Sequence, residues 1–435
     1  MSPERTGSDV SGRRRVIRPL VDFLHAEAAG GVALVVATTA ALLWANSPWD
    51  ASYNDLWTTQ LAVSLGEREL DLDLRHWIND GLMAVFFFVV GLEIKRELVE
   101  GELRDPRRAL LPACAALGGM IAPAAIYGAF NAGGEASGGW GIPMATDIAM
   151  AIGVLSLMGS RVAPSLKLFL LALAIVDDIG AILVIAVFYT DEIHSDALLA
   201  AVGLVLVVAV MRRWGVRSIA AYVGVGAVLW VTLYHSGIHP TLAGVVLGLM
   251  TPTRPIRQPE LIDAAELAAV PSDQAGLQTA TAAPGTVSVV EWLEHLFHPW
   301  TGFVVVPLFA LANAGIPLGG DTVGDALTSS VAGGIVVGLV VGKFVGVTGF
   351  TWLATRLGIA RLPENTSWSG IVGVSVLAGI GFTVSIFITE LAFGGEPLED
   401  QAKVAILAAS LLAASIGSAL IVATSRRAPA GSARQ

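Results

Sequence analysis

The sequence predicts an all-α polytopic membrane protein of about twelve transmembrane helices. They are arranged in inverted-topology repeats, with two interrupted helices crossing at the midplane and a small extracytoplasmic β-hairpin. Three observations carry this expectation: apolar runs along nearly the whole chain, a one-sided distribution of basic residues, and two adjacent aspartates inside one apolar run. Of 435 residues, 54% are hydrophobic and only 14% charged, and the mean hydropathy is +0.70. A soluble chain of this length needs far more charge to cover its surface. The bilayer is therefore the expected solvent, and helices are expected to cross it because each satisfies its own backbone hydrogen bonds. The formal charge of −10 says little, since placement matters more than the sum. The single cysteine, Cys114, excludes an internal disulfide and reads as ordinary packing. Nothing points to a nucleic-acid partner.

The candidate crossings lie near 29–45, 79–94, 109–130, 142–158, 166–188, 197–211, 219–234, 238–251, 301–316, 331–354, 370–391 and 402–424. They make one transporter-like unit over 29–424, between cytoplasmic tails at 1–28 and 425–435. Several fall short of the ~20 residues an untilted span needs, which suggests broken or tilted helices buried among neighbours. With both termini inside, 22 of the 26 Lys and Arg fall on the cytoplasmic side. Five lie in the N-terminal tail, five after segment 2, two after segment 4, three after segment 6, two each after segments 8 and 10, and three in the C-terminal tail. A miscounted segment would scramble this positive-inside bias. The polar N-terminal stretch has no clear cleavage site, so the first helix is expected to stay uncleaved in a multi-pass protein of the cell membrane.

Two loops stand out. Outside, LAVSLGERELDLDLRHW at 61–77 alternates apolar and polar residues on either side of Gly66-Glu67, with Leu61, Val63 and Leu65 answered by Leu70, Leu72 and Leu74. This is a hairpin pattern. A lone hairpin is marginal in water, so it is expected either to pair with another copy in a homodimer or to pack on its own helices. Inside, 252–290 is rich in Ala, Pro, Thr and Gln and reads as a flexible loop.

LALAIVDDIGAILVIAV at 171–187 holds Asp177 and Asp178. Each Asp at a helix centre opposes insertion by about 2.5–3.5 kcal/mol. A proton or a bound cation relieves that cost, so the pair outlines a site that holds protons or a metal ion. Neighbouring helical residues point 100° apart, so each carboxylate needs its own partner. GIPMATDIAMAIGVL at 141–155 offers Thr146 and Asp147 in a crossing interrupted near Pro143, and VVGKFVGVTGF at 340–350 offers Lys343. VSVLAGIGFTVSIF at 374–387 is uncharged, but Gly379 and Gly381 are placed to unwind a helix. A structural Asp–Lys pair is the plainer reading, though one acid would suffice for one base. Segments 3–5 and 10–12 are each a long helix, a short interrupted one and a long helix, seven crossings apart. An odd offset turns the second trio upside down, and paired interrupted helices in inverted repeats point to a transporter site at the midplane. Asp147 and Lys343 would then neutralise the exposed helix ends.

These stretches, with WINDGLMAVFFFVVGLEIKREL at 77–98, GIHPTLAGVVLG at 237–248 and EHLFHPW at 294–300, resemble the NhaA family of sodium/proton antiporters from about 15 to 425. That family is itself one of the known inverted-repeat transporters. The resemblance implies that Asp177 and Asp178 are the ion-binding, proton-carrying pair, that Thr146 and Asp147 belong to an unwound helix, and that Lys343 is the membrane lysine. It places residues linked to pH activation at Glu93, Arg96, Glu97, Glu294, His295 and His298, with His239 near the outer face also affecting the pH response. The loop at 252–290 is longer than expected for the family. Read without the resemblance, Glu93, Arg96 and Glu97 sit on one helical face and serve equally as an interfacial ion-pair cluster. The histidines titrate near neutral pH, yet interface histidines are also ordinary. His239 precedes Pro240 and could simply end a loop.

The expected activity is an electrogenic exchange that exports Na+ or Li+ and imports protons, two per cation, for sodium and pH homeostasis. A carboxylate withdrawn from water holds a proton more readily, and a sodium ion competing for its oxygens drives that proton off. Which of Asp177 and Lys343 carries the second proton stays open. No enzyme activity and no cofactor are expected beyond the transported ions. An intramembrane aspartyl protease would want its two acids on facing helices, and an open cation channel has no need of titratable groups tied to a lysine. The closest rival is a symporter of a small solute on a similar fold, which would call for aromatic or Arg residues near the site.

Overall fold

The computed structural model describes residues 29–425 apart from 66–67, 191, 217, 254, 257–286, 364–365 and 396. The tails at 1–28 and 426–435, the Gly66-Glu67 turn and most of the 252–290 loop lie outside the described residues. In chain order the helices are α1 (Ala29–Ala45), α2 (Asp50–Trp57), α3 (Leu74–Val99), α4 (Pro106–Asn131), a 3-10 segment (Glu135–Met144), α5 (Ile148–Leu157), α6 (Pro164–Phe188), α7 (Ser195–Trp214), α8 (Ile219–Ser236) and α9 (Leu242–Met250). They continue with α10 (Val289–Asn313), α11 (Gly320–Thr328), α12 (Ser330–Arg356), α13 (Trp368–Leu377), α14 (Phe382–Phe393) and α15 (Pro397–Ser425). Their ends follow ordinary chemistry. Asp105 caps α4 by accepting the Arg107 amide at 3.0 Å, with Pro106 at the first helical position. Gly215 and Gly237, at φ of 72° and 82°, close α7 and α8 in the left-handed conformation.

Among the described residues, eight helices are long and apolar enough to cross a membrane, and eleven crossings result if each of three bent pairs counts as one. The chain is therefore a multi-pass membrane protein. The segment expected at 238–251 is helical only over the nine residues of α9, about half a hydrocarbon core in length. The turn from Gly237 through Pro240 occupies the rest. α9 packs closely on α3: a side chain at Gly244 would strike the Ala84 carbonyl, and one at Gly91 the Val245 carbonyl. Small residues of this kind let membrane helices approach without a hydrophobic drive.

The hairpin forms, with its strands on either side of Gly66-Glu67 as expected. β1 (Gln60–Leu65) and β2 (Arg68–Asp73) pair antiparallel with Leu61 opposite Leu72, Val63 opposite Leu70 and Leu65 opposite Arg68. Leu74 is not in the strand: Asp73 accepts the His76 amide at 2.8 Å and caps α3 there. Leu72 is buried beside Trp230 and Leu233 of α8, whereas Leu61 and Val63 are about half exposed. A second short pair, β3 (Pro255–Ile256) with β4 (Val287–Ser288), draws together the ends of the long loop.

α2 folds back 116° from α1 and is pinned to the end of α10. Its buried Tyr53 hydroxyl lies 2.8 and 2.9 Å from the Leu311 and Ala312 carbonyls and accepts the Gly315 amide at 3.2 Å. The other two bent pairs shape the site. The 3-10 segment and α5 meet at 42°, and α13 and α14 at 44°, each across a few non-helical residues.

Candidate functional site

The two interruptions lie against one another. Ala145 and Asp147 run extended between the 3-10 segment and α5, and the Asp147 amide donates to the Ile380 carbonyl at 2.7 Å in the α13–α14 break. The Thr146 hydroxyl reaches the Ala378 carbonyl at 2.9 Å, and the Ser385 hydroxyl donates to the Ile142 carbonyl at 2.8 Å. Gly379 is required for close approach rather than for unusual dihedrals, because a side chain there would run into the Leu339 carbonyl of α12. Gly381 likewise faces the Ser385 hydroxyl and the Ala145 carbonyl.

Asp147 joins the two helix N-termini. One carboxylate oxygen accepts the Met150 amide of α5 at 2.9 Å. The other accepts both the amide and the hydroxyl of Thr383 on α14, at 3.0 and 2.6 Å. A carboxylate between two helix starts meets two partial positive charges with their orphan amides, which accounts for an acid that is only 2% exposed.

Asp177 and Asp178 sit side by side on α6 yet face different surroundings. Lys343 donates to Asp177 Oδ2 at 2.5 Å, and the Thr146 hydroxyl lies 2.7 Å from the same oxygen. Lys343 also donates to Thr146 at 3.0 Å, and both side chains of the ion pair are fully buried. A π-helical stretch, Gly338–Gly342, immediately precedes Lys343. Such stretches are frequent at functional positions. Asp178 meets no hydrogen-bond donor among the described residues and instead borders a cavity of about 60 Å³. That is room for a few waters. Thr146, Asp147, Thr383, Glu93 and His298 border the same cavity.

The remaining sequence-nominated residues divide into two places. Glu93 and His298 reach the cavity. Beside it Arg96 of α3 pairs with buried Glu294 of α10 and lies 3.8 Å from Glu97, while His295 is exposed. His239 lies elsewhere: its ring is 3.5 Å from Asp80 and 2.8 Å from the Thr241 hydroxyl, and it packs on Phe387 at 5.3 Å. Phe387 in turn packs on Phe87 and Phe309 at 5.4 and 6.3 Å. Sequence reasoning missed Thr383, the Asp80–His239 pair and Glu390, whose Oε2 is sealed from solvent with no hydrogen-bond partner. The Gly-Ile-Gly-Phe-Thr run contained the signal for Thr383, because a hydroxyl just after a helix break stands at a site facing two helix starts.

Comparison with known proteins agrees with this geometry. The profile of the Na+/H+ antiporter 1 family matches residues 21–421. A protein named Na(+)/H(+) antiporter NhaA 3 from Frankia alni is 45% identical over 434 residues, covering 98% of this chain and 94% of its own. One named Na(+)/H(+) antiporter NhaA from Rhodopirellula baltica is 46% identical over 422 residues, covering 94% and 95%. Another, Na(+)/H(+) antiporter NhaA 2 from Myxococcus xanthus, is 47% identical over 411 residues, covering 91% and 87%.

Proposed function

Because this chain belongs to the Na+/H+ antiporter 1 family, we propose that it exports Na+ or Li+ across the cell membrane in exchange for two protons, with both termini cytoplasmic. The observation that carries the site assignment is the buried Lys343–Asp177 pair beside Asp178, whose carboxylate borders the cavity without a donor. Asp178 is the group a cation entering the cavity meets first. Lys343 holds Asp177 while the site is without its cargo, and gives it up when a cation supplies that positive charge instead. Protons and cation thus compete for one set of oxygens, which couples the two flows. Release of one proton from Asp178 and one from Asp177 or Lys343 for each monovalent cation makes the exchange electrogenic.

With the 238–251 segment counted as a crossing, the two bent pairs lie seven crossings apart, each between long helices, which supports an inverted repeat with its site at the crossing. A cavity of about 60 Å³ suits a bare cation with a few waters and is too small for an organic solute, so nothing favours the symporter reading. Glu93, Arg96, Glu97, Glu294, His295 and His298, at or near the cavity mouth, are placed to set the pH at which cations gain access. His239 would act from the Asp80 side. The half-exposed Leu61 and Val63 of the hairpin support its pairing with a second copy.

The test uses everted vesicles from cells lacking other antiporters, with an acid interior reported by a quenched dye. Na+ and Li+ should relieve the quench in the wild type and fail to do so in Asp178→Asn. No response at any pH from inserted protein would overturn the proposal.

A further inference from the structure

We infer that Thr383 supplies a neutral ligand to the transported cation, in partnership with Asp178. The inference rests on the antiporter reading and specifies the ligand set of that site.

A monovalent cation leaving water must replace several oxygen contacts, and a single carboxylate provides the charge but too few of them. A threonine hydroxyl has one hydrogen to donate and two lone pairs that can accept a proton or a cation. Thr383 is 4% exposed, borders the cavity, and directs its one hydrogen to Asp147 Oδ2 at 2.6 Å. Its oxygen therefore has only lone pairs left, which is the polarity a cation requires. The backbone amide of the same residue holds the same carboxylate oxygen at 3.0 Å. The hydroxyl is thus fixed by two links to one acceptor and needs little reorganisation when the cation arrives.

Thr146 borders the same cavity, but its hydroxyl is otherwise engaged. It accepts from Lys343 at 3.0 Å and lies within 2.7 Å of Asp177 Oδ2 and 2.9 Å of the Ala378 carbonyl. Its hydrogen has two acceptors competing for it, and one lone pair already faces a cation. Asp147 is likewise taken up by the N-termini of α5 and α14. Among the described side chains at the crossing, Thr383 is the hydroxyl that borders the cavity with neither lone pair committed, and Asp178 is the carboxylate that borders it without a donor.

The test measures exchange by wild type, Thr383→Val and Thr383→Ser in proteoliposomes, with KM and maximal rate for Na+ and Li+ separately. Val keeps the shape and the backbone amide that holds Asp147, and removes the hydroxyl together with its hydrogen bond to Asp147. Thr383→Val should raise KM for both cations by about tenfold, the worth of one polar contact. The Na+ and Li+ changes should be unequal, because the two ions differ in size and in the ligand geometry they accept. Thr383→Ser restores the oxygen and should return KM toward the wild-type value. A purely structural Thr383 would give a lower melting temperature and maximal rate with KM unaltered, and that result overturns the inference. Wild-type KM values in Thr383→Val overturn it as well, while exchange by the wild type leaves the antiporter reading standing. Absence of exchange in the wild type would instead remove the reading on which the inference rests.

Discussion

Replacing Lys343 with Met removes the cation from a fully buried ion pair while preserving most of its volume. Among the described residues Asp177 is then left with the Thr146 hydroxyl as its close donor, and its Oδ1 is already sealed without a partner there. Removing one member of such a pair typically costs about 3–5 kcal/mol, because the other charge stays buried and uncompensated. Removing both members in Lys343→Met with Asp177→Asn discards that penalty, and buried pairs exchanged for uncharged groups are often neutral in stability. The two single substitutions and the double therefore form a cycle with a coupling energy of about 2–3 kcal/mol. Thermal unfolding in detergent by fluorescence at one fixed pH reads it. Lys343→Met should melt several degrees below the wild type, and the double variant should recover most of that loss. Strict additivity would refute the pairing and return Lys343 to a role in helix packing alone. The same double variant should be inactive in exchange, since stability and proton carriage separate at this position.

Two further outcomes follow from groups away from the aspartates. Arg96→Gln should move the midpoint of the exchange–pH profile by about one unit, the order expected when a buried acid such as Glu294 loses a neighbouring cation. The readout is initial dequenching rate in everted vesicles against pH, and an unchanged profile would make the Arg96–Glu294 pair structural only. Deleting 61–73 should convert a dimer to a monomer in light scattering after gel filtration, with exchange retained. A deletion variant that stays dimeric would place the contact elsewhere.

What could be read from the sequence was the part written in unusual chemistry. Asp147, Asp177, Asp178 and Lys343 stand out because a charge inside an apolar run is costly and needs a reason. All four gather within one crossing of interrupted helices. The hairpin was legible for a similar cause, since period-2 alternation is rare among membrane helices. The end of its second strand was not legible, because Asp73 can end a strand or cap a helix and only the tertiary path decides. The helical extent of the 238–251 segment was not legible for a related reason: apolar composition shows that residues avoid water, but not whether Gly237 and Pro240 place some of them in a turn. The least visible features join distant parts of the chain through ordinary residues. Thr383 is one threonine among many, Arg96 and Glu294 are charges near helix ends, and Asp80 and His239 each have common local readings. Their roles depend on which elements the fold sets side by side. A hydroxyl becomes a candidate ligand only when an acid across the crossing takes its hydrogen and an unbonded aspartate shares its cavity, and Thr383 meets both conditions.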